Sequence, residues 1–385
     1  MPLLSLTNPH NDPLPLQFPH DTILHHSYPT SSDSEIDIGG AKSLVSSNVY
    51  DGQVKFIPQG VEVKPCSVYK KDASQEESAE VFPFPIAGGH LGGIRLDPED
   101  PSRLIKDTYR DEAFFYQNLA PELDNTLEKP WDGWRPHYYE WKKRDGEWRK
   151  KALASVIMEN VAQTTSSKEY DQDSELFWHP NVIDVKLGTK LSSDSEESEK
   201  KDRKETTSKN TTSGKFAMRL SGAEYWDNEK QEYKKESKKY GHTVEPLGID
   251  LQEKFNALFP LSVDKGKQIE GSLLTFSPGG LTPEMMKLVL DSLVPQLEKL
   301  LAQVSQLKWR SPATSLLVVF EGDARRLEKV VQSNPQISAK LADVRLIDFA
   351  YTEAHDGVDE ELVLGLKNTL KCFHELRRMI ENLEL

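Results

Sequence analysis

Apolar residues are spread unevenly along the chain, and their spacing predicts where ordered elements lie. Residues 1 to about 50 are rich in Pro, Ser, Asn and His with few aliphatic clusters, the pattern of a disordered tail. "EVFPFPIAGGHLGGIRL" (80–96) then sets a glycine-rich turn between two apolar runs, as in a hairpin whose tip gathers backbone N–H groups. "RLIKD" predicts a short strand, and "RDEAFFYQNLA" carries its apolar residues at helical spacing. In "HYYEWKKRDGEWRKKALASVIMENV" (137–161) two strands flank Asp145-Gly146, a strong hairpin-turn signal.

After a polar linker, "HPNVIDVKLGTK" (179–190) places Asp184 and Lys186 inside an apolar run. Side chains alternate across a strand, so these two point the same way while Val182, Ile183, Val185 and Leu187 supply apolar context. Taken alone, such a pair reads as a salt bridge at the rim of a sheet. A low-complexity stretch follows at 191–214, acidic residues first and Lys200, Lys201, Arg203 and Lys204 behind them, and reads as a flexible insertion. "KFAMRLSGAEYW" resumes as a strand. Helices are predicted at 246–259 and 282–305, the second opened by Thr282-Pro283 and bent by Pro295. "TSLLVVFEGD" (314–323) and "DVRLIDFA" (343–350) predict buried strands, and 359–384 a terminal amphipathic helix.

Composition narrows the classes. The 385 residues suffice for one large domain or two smaller ones, but 37% hydrophobic against 29% charged residues implies that part of the chain does not pack. A net charge of −14 argues against sequence-independent attraction to nucleic acid or anionic membrane, so direct nucleic-acid binding is not expected. A polyanionic ligand would need locally clustered Lys and Arg. Cys66 and Cys372 are far apart and lack a Cys/His pattern, which indicates neither a disulfide framework nor a zinc site and suits a reducing compartment. Prolines interrupt the opening "MPLLSLTNPHNDPLPLQFPH" where a signal peptide needs a continuous apolar segment, and no run reaches membrane-spanning length. A soluble, intracellular protein is the expectation.

The chemistry lies in the order of the parts. A glycine hairpin (Gly88 to Gly93), a strand lysine (Lys106), a helix with an early glutamate (Glu112) and an aspartate ending an apolar strand (Asp348) follow one another as in an ATP-binding kinase cleft. Backbone N–H groups can cover phosphates, a lysine can pair with their oxygens, a glutamate can hold that lysine, and an aspartate can bind magnesium. Each element alone has a bland alternative: a plain turn, a solvated lysine, a chance tripeptide. Neither H-R-D-x-x-x-x-N nor a Walker A sequence occurs, which excludes an ordinary protein kinase and a P-loop enzyme.

Three motifs in one order carry a more specific resemblance. "PNVIDVKLG" (180–188) looks like the P-x-x-x-D-x-K-x-G motif of the inositol polyphosphate kinases, "TSLLVVFEGD" resembles their S-L-L strand, and "LIDFA" their magnesium-binding I-D-F-A. "PFPIAGGH", "RLIKDTYRDEAFFYQNL" and "SVIMENV" are similar to the family's opening hairpin, ATP-lysine strand with its helix, and adenine hinge. The resemblance runs from about residue 60 to 384, and the compact segment after D-x-K-x-G favours the multikinase branch. It implies a two-lobed, kinase-like α+β fold with antiparallel sheets, ATP and Mg²⁺ as cofactors, and inositol phosphates as substrates. It also implies a tail at 1–50, an N-lobe at 51–161 and a C-lobe at 162–385 that includes the insertion 191–214, with residence in the nucleus and cytoplasm.

Carried over by position, the resemblance implies that Lys106 meets the ATP phosphates with Glu112 behind it. Glu159 and Val161 would meet adenine through backbone atoms. Asp184 would lie at the nucleotide and the reacting hydroxyl, as base or as orienting group, and Lys186 at the transferred phosphoryl. Asp348 would hold Mg²⁺ with Ser315 nearby. The basic cluster with Lys200, Arg203 and Lys204 matches the substrate helix, and Lys238 a further substrate contact. The family usually reads D-F-A-H, but here Tyr351 follows Ala350; a tyrosine can donate to phosphate and carries no charge at neutral pH.

The implied reaction is phosphorylation of inositol 1,4,5-trisphosphate and tetrakisphosphate towards pentakisphosphate. Alternatives are a hexakisphosphate kinase, a strict trisphosphate 3-kinase, and a non-catalytic scaffold of the same fold whose acidic tails bind protein partners. A lipid or protein kinase is disfavoured by the missing catalytic loop. "WKKRDGEWRKK" reads as an exposed hairpin rather than an import patch, and the serine-acid runs at 31–37 and 192–199 allow phosphorylation by composition alone.

Overall fold

Two antiparallel sheets, of four and five strands, carry the fold, and the central strands of the larger one are buried on both faces. The computed structural model describes residues 49–50, 53–54, 85–87, 93–127, 132–148, 151–165, 176–192, 198–262, 272–332 and 339–383. The chain divides into two units, Met1–Glu77 and Ser78–Leu385. In the first, the described residues form an antiparallel ribbon of β1 (Val49–Tyr50) and β2 (Gln53–Val54). Everything else belongs to the second.

One sheet of the second unit has the order β3 (Ile94–Leu96), β4 (Arg103–Tyr109), β6 (Lys151–Glu159), β5 (Tyr138–Trp148). From the end of β4 the chain enters α1 (Arg110–Phe114), one π-turn at Phe115–Leu119, and α2 (Ala120–Asp124). Phe115 and Tyr116 of the wider turn are buried while Phe114 is 62% exposed. Phe115 stacks on Phe349 with ring centroids 4.1 Å apart, tying this helix to the I-D-F-A segment.

The other sheet runs β12 (Ala342–Ile347), β11 (Ser315–Glu321), β7 (Pro180–Leu187), β8 (Met218–Asp227), β9 (Glu232–Glu236). Between β7 and β8 lie α3 (Ser198–Lys209) and α4 (Thr212–Phe216). After β9 come α5 (Leu251–Asn256) and α6 (Pro283–Val304). β10 (Trp309–Arg310) pairs with β13 (Glu353–Ala354), α7 (Ala324–Gln332) follows β11, and α8 (Glu360–Glu381) closes the chain. Thr282 caps α6 by accepting from the Met285 N–H, and Pro283 sits in its first turn. Leu293, Leu297 and Leu300 of α6 and Leu366, Phe373 and Leu376 of α8 are fully or almost fully buried in one core with Ile183, Val185 and Leu187 of β7. Cutting any one of these leucines to alanine would cost about 2–5 kcal/mol. The opposite face of β7 thus turns Val182, Asp184 and Lys186 away from that core.

Three expectations need correction. Asp145-Gly146 is not the hairpin turn: Lys143 pairs with Ala154 and Glu147 with Ala152, so Arg144 to Gly146 bulge opposite Leu153 and the strands pair on to Trp148 and Lys151. The helix expected at 246–259 shrinks to Leu251–Asn256, because Gly248 takes a left-handed φ of +75° where a Cβ would strike the Phe216 ring. The stretch 191–214 contains helix α3 and the start of α4. α3 has no apolar stripe but is rich in Glu, Lys and Arg, good helix formers, and Ser208 Oγ donates to the Thr189 carbonyl at 2.6 Å. The glycines from Gly88 to Gly92, the linker 166–175, the acidic residues 193–197 and the tail to residue 48 lie outside the described residues. No helix among the described residues is long and apolar enough to cross a membrane.

Candidate active site

The site is built where the two sheets approach the end of β12. Lys106 and Thr108 share a face of β4, and the turn into α1 brings Glu112 beneath them. Lys106 Nζ donates to Glu112 Oε1 at 2.7 Å and to Asp348 Oδ1 at 2.8 Å. Thr108 Oγ1 donates to Glu112 Oε2 at 2.6 Å, and the Phe349 N–H to Glu112 Oε1 at 3.2 Å. Glu112 is 1% exposed and committed at both oxygens, so it reaches the cleft through Lys106 rather than by touching a nucleotide.

From the other sheet, Lys186 Nζ donates to Asp348 Oδ2 at 3.1 Å and to the Ala313 carbonyl at 2.8 Å. Asp348 therefore bridges a lysine from each sheet. Its φ of +70° is left-handed, as is that of Ala313 at +61°. Non-glycine residues held there cost about 1–3 kcal/mol each, and such strain concentrates at functional sites.

Electrostatics separate the two aspartates. Burial by itself would raise the Asp348 pKa, but Lys106 and Lys186 outweigh it and hold the carboxyl well below the usual carboxylate range. Asp348 stays ionised. Asp184 goes the other way: burial raises it and the Asp348 charge adds to the rise, against the pull of Lys186. For Lys106, the desolvation that would lower its pKa is overcome by Asp348 and Glu112, which keep it protonated.

Asp184 Oδ1 and Ser315 Oγ are buried without a well-formed hydrogen bond, although the Ser315 hydroxyl is near enough to Asp184 to pull its pKa down. Such orphans are costly and call for an explanation. Opposite Asp184 on β8 stands Gly222, where a Cβ would lie 1.9 Å from the Ala87 carbonyl oxygen. Only glycine lets the chain entering the glycine-rich turn come this close.

A small apolar cluster lies on the Asp184 face: Ala87, Val161, Ala162, Phe177, Val182 and Val319, with Leu317 partly buried against it. Val161 lies two residues past the end of β6, and the Glu159 N–H is already given to the His137 carbonyl at 2.8 Å, so the carbonyl is the backbone group Glu159 has left to offer a base. The sequence motifs singled out Glu159 and Val161 but missed Val182, Leu317 and Val319; alternation along β7 and β11 was the signal for them.

The basic helix α3 faces the cleft through Lys200 and Lys204. Lys200 Nζ donates to Tyr351 Oη at 3.2 Å, and Lys204 Nζ lies 4.6 Å from the Tyr351 ring centroid. Arg203 points to solvent on the flank of α3. Lys238 is exposed, but its charge acts on Asp184. Arg219, which the sequence reading passed over, pairs with Lys186 across β7 and β8 and thus shares its face; its Nε and Nη1 are buried without partners. Burial lowers its pKa, against the pull of Asp184.

The donor set suits a hard divalent cation. Mg²⁺ takes one or two carboxylates and completes its shell with phosphate oxygens and water. Asp348, Asp184 and the Ser315 hydroxyl offer oxygen atoms of that kind, and two of those atoms make no well-formed hydrogen bond. Among the described residues no cluster of three or more His, Cys, Asp or Glu forms a self-sufficient metal cage.

Comparison with known proteins follows the same lines. A family model for inositol polyphosphate kinase matches residues 174–374, just over half of the chain. The inositol polyphosphate multikinase of Schizosaccharomyces pombe is 27% identical over 299 residues, covering 76% of this chain and 96% of its own. Human inositol hexakisphosphate kinase 3 is 25% identical over 222 residues, covering 52% of this chain and 49% of its own, so the chain spans about half the length of that relative. Among solved structures, the inositol phosphate multikinase of S. cerevisiae, in complex with ADP and Mn²⁺, superposes with a TM-score of 0.51. The match covers 71% of this chain and 98% of that one at 20% identity, and shows a shared fold.

Proposed function

Since the chain belongs to the inositol polyphosphate kinase family, we propose that it transfers the γ-phosphoryl group of ATP to hydroxyls of inositol trisphosphate and tetrakisphosphate, towards pentakisphosphate. The observation that carries this reading is the Asp348 carboxylate held between Lys106 and Lys186, beside an Asp184 with an orphaned buried oxygen. That is a cation-rich cleft with carboxylates placed for a metal ion, which phosphoryl transfer uses for positioning and charge neutralisation. The multikinase of fission yeast, matched over nearly its whole length, supports the multikinase branch.

In this reading adenine lies against Val161, Val182, Leu317 and Val319, with the Glu159 carbonyl and Val161 N–H on its edge. Lys106, held by Glu112, meets the ATP phosphates. Asp348, with Asp184 and Ser315, would hold Mg²⁺, which supplies neutralisation of phosphate charge. Lys186 stabilises negative charge on the transferred phosphoryl, and Asp184 orients the attacking hydroxyl. Phosphates of the inositol ring meet Lys200, Lys204, Arg219 and Lys238, with Tyr351 beside them. The two lobes meet at the cleft, with the described residues of 93–161 on the nucleotide side and those of 176–383 on the substrate side.

Product-resolved phosphorylation of inositol 1,4,5-trisphosphate with ATP and Mg²⁺ tests this. Successive tetrakis- and pentakisphosphate should form, with turnover reduced by roughly 10²–10³-fold in Lys186→Ala. A pyrophosphate product from inositol hexakisphosphate, with no turnover of the trisphosphate, would replace the multikinase reading with the hexakisphosphate kinase one. ATP binding with no turnover of either substrate would remove the catalytic reading.

A further inference from the structure

Helix α3 has nothing apolar to dock with. Its sequence, SEKKDRKETTSK, buries only Ser208, which anchors the C-terminal end to the Thr189 carbonyl. Lys200 and Lys204 stand four residues apart on one face, where like charges repel and would drive both ammonium groups out to solvent. Both instead turn to one half-buried aromatic ring. Lys200 Nζ donates to Tyr351 Oη at 3.2 Å and lies 5.6 Å from the ring centroid, and Lys204 Nζ lies 4.6 Å from that centroid. The negative face of the ring attracts Lys204, and the hydroxyl accepts from Lys200, which lies beyond it near the ring's edge. Tyr351 is fixed in turn. It lies three residues beyond Asp348, and its ring is 6.5 Å from that of Tyr109, the last residue of the strand that carries Lys106.

We infer that Tyr351 is a positioning residue that also determines specificity: it gathers Lys200 and Lys204 at the cleft as a preformed receptor for the phosphates of a soluble polyphosphate. This rests on the proposed kinase function for the identity of the ligand, but the geometry of the receptor does not. Preorganisation acts on binding, since the lysines need not be ordered when the ligand arrives. Tyr351 is therefore a determinant of polyphosphate affinity and not of nucleotide affinity.

The test uses the full-length protein and two variants, Tyr351→Phe, which keeps the ring and loses the hydroxyl, and Tyr351→Leu, which loses both. In the Leu variant KM for inositol 1,4,5-trisphosphate should rise roughly tenfold, the loss of about one preorganised charge contact, while KM for ATP and kcat stay within about twofold. The Phe variant should fall between. A second arm needs no turnover: limited acetylation of the unliganded proteins, with labelling of each lysine read by peptide mass spectrometry and Lys215 as the internal reference. The Leu variant should label faster at both Lys200 and Lys204, the Phe variant faster at Lys200 alone. Equal labelling in all three proteins overturns the inference even if the enzyme is an active multikinase. Conversely, a wild type without inositol phosphate turnover removes the functional reading, and the labelling pattern still decides the role of Tyr351. Should the Leu variant not fold, the split between Lys200 and Lys204 in the Phe variant carries the test.

Discussion

Strands β7 and β11 carry an ionic network at each end, and the two are built on opposite principles. At one end Glu321, fully buried, accepts from the N–H groups of Trp178, His179 and Asp323 at 2.9–3.0 Å and from Arg326 Nη1 at 2.6 Å. Asp323 is closed off by His179 Nδ1 at 2.8 Å and Arg325 Nη2 at 2.5 Å. At the other end two lysines converge on Asp348, and Asp184 Oδ1 and Ser315 Oγ are buried without a well-formed hydrogen bond. In the first network every carboxylate oxygen is taken up by the chain itself, whereas in the second a buried carboxylate oxygen and a hydroxyl are left over. Both networks pair buried carboxylates with cations, so what marks a site is incompleteness: carboxylate oxygens that the chain does not engage are ones a ligand can engage.

The widest separation between the two should come from one carboxylate in each. Asp348→Asn should lower kcat by about 10³-fold or more, because it weakens the hold on the metal and on both lysines at once. Its effect on the urea midpoint should be small, since Asp348 is 38% exposed and its ion pairs are screened. Glu321→Gln should do the reverse, costing about 3–5 kcal/mol of stability by leaving Arg326 buried without its partner charge, while kcat of the folded fraction stays near wild type. Turnover and denaturation curves on both variants decide this. If Glu321→Gln abolished turnover at unchanged stability, the division between structural and functional networks would collapse.

A pH series sharpens the same contrast with a smaller effect. At Asp323 burial would raise the pKa, but His179 and Arg325 hold it well below the normal range. A lowered carboxylate contributes stability that is present above the unfolded pKa and is lost as pH falls through the folded one. Asp323→Asn should therefore destabilise the protein at pH 7, with the difference fading in acid. Asp184 is raised, by burial first and by Asp348 next, so its contribution is present below the unfolded pKa and is lost as pH rises through the folded one. Asp184→Asn should stabilise the protein at pH 7 by about 1 kcal/mol, the order of an unsatisfied buried group, and the gain should vanish towards acid even as activity falls. Stability of each variant against pH reads both signs; a stabilising Asp323→Asn or a destabilising Asp184→Asn at pH 7 would reverse the assignment.

How much of this was legible in the sequence depends on the range of the interaction. Alternation along "VIDVKL" was enough to place Asp184 and Lys186 on one face, because strand geometry is local. The order of short motifs was enough to bring Lys106, Glu112 and Asp348 together as one site. Asp145-Gly146 misled because a hairpin signal cannot distinguish the turn from a bulge a few residues before it. Arg219 was missed because its significance comes from lying opposite Lys186 on a neighbouring strand, a register that no local pattern encodes. The docking of α3 was hidden for a related reason: its contacts are made by lysines to a tyrosine 147 to 151 residues away, and a search for an apolar stripe passes over a helix held by its charges.

That helix gives the finest test, because motif matching treats Lys200, Arg203 and Lys204 as equals and the structure does not. Lys204 lies over the Tyr351 ring, whereas Arg203 is exposed on the flank of α3. A solvent-exposed cation contributes little beyond screened, long-range attraction, while one held at the cleft by its surroundings meets a phosphate without first being ordered. Lys204→Ala should raise KM for inositol 1,4,5-trisphosphate by roughly tenfold, the size of a charge-assisted contact. Arg203→Ala should change it by about twofold or less and lose even that effect at 0.5 M salt. Steady-state kinetics at two ionic strengths separate the outcomes. Equal losses in the two variants would mean that α3 acts as a diffuse basic surface, and the incompleteness that marks the site would end at Asp184, Ser315 and Arg219 without extending to the helix.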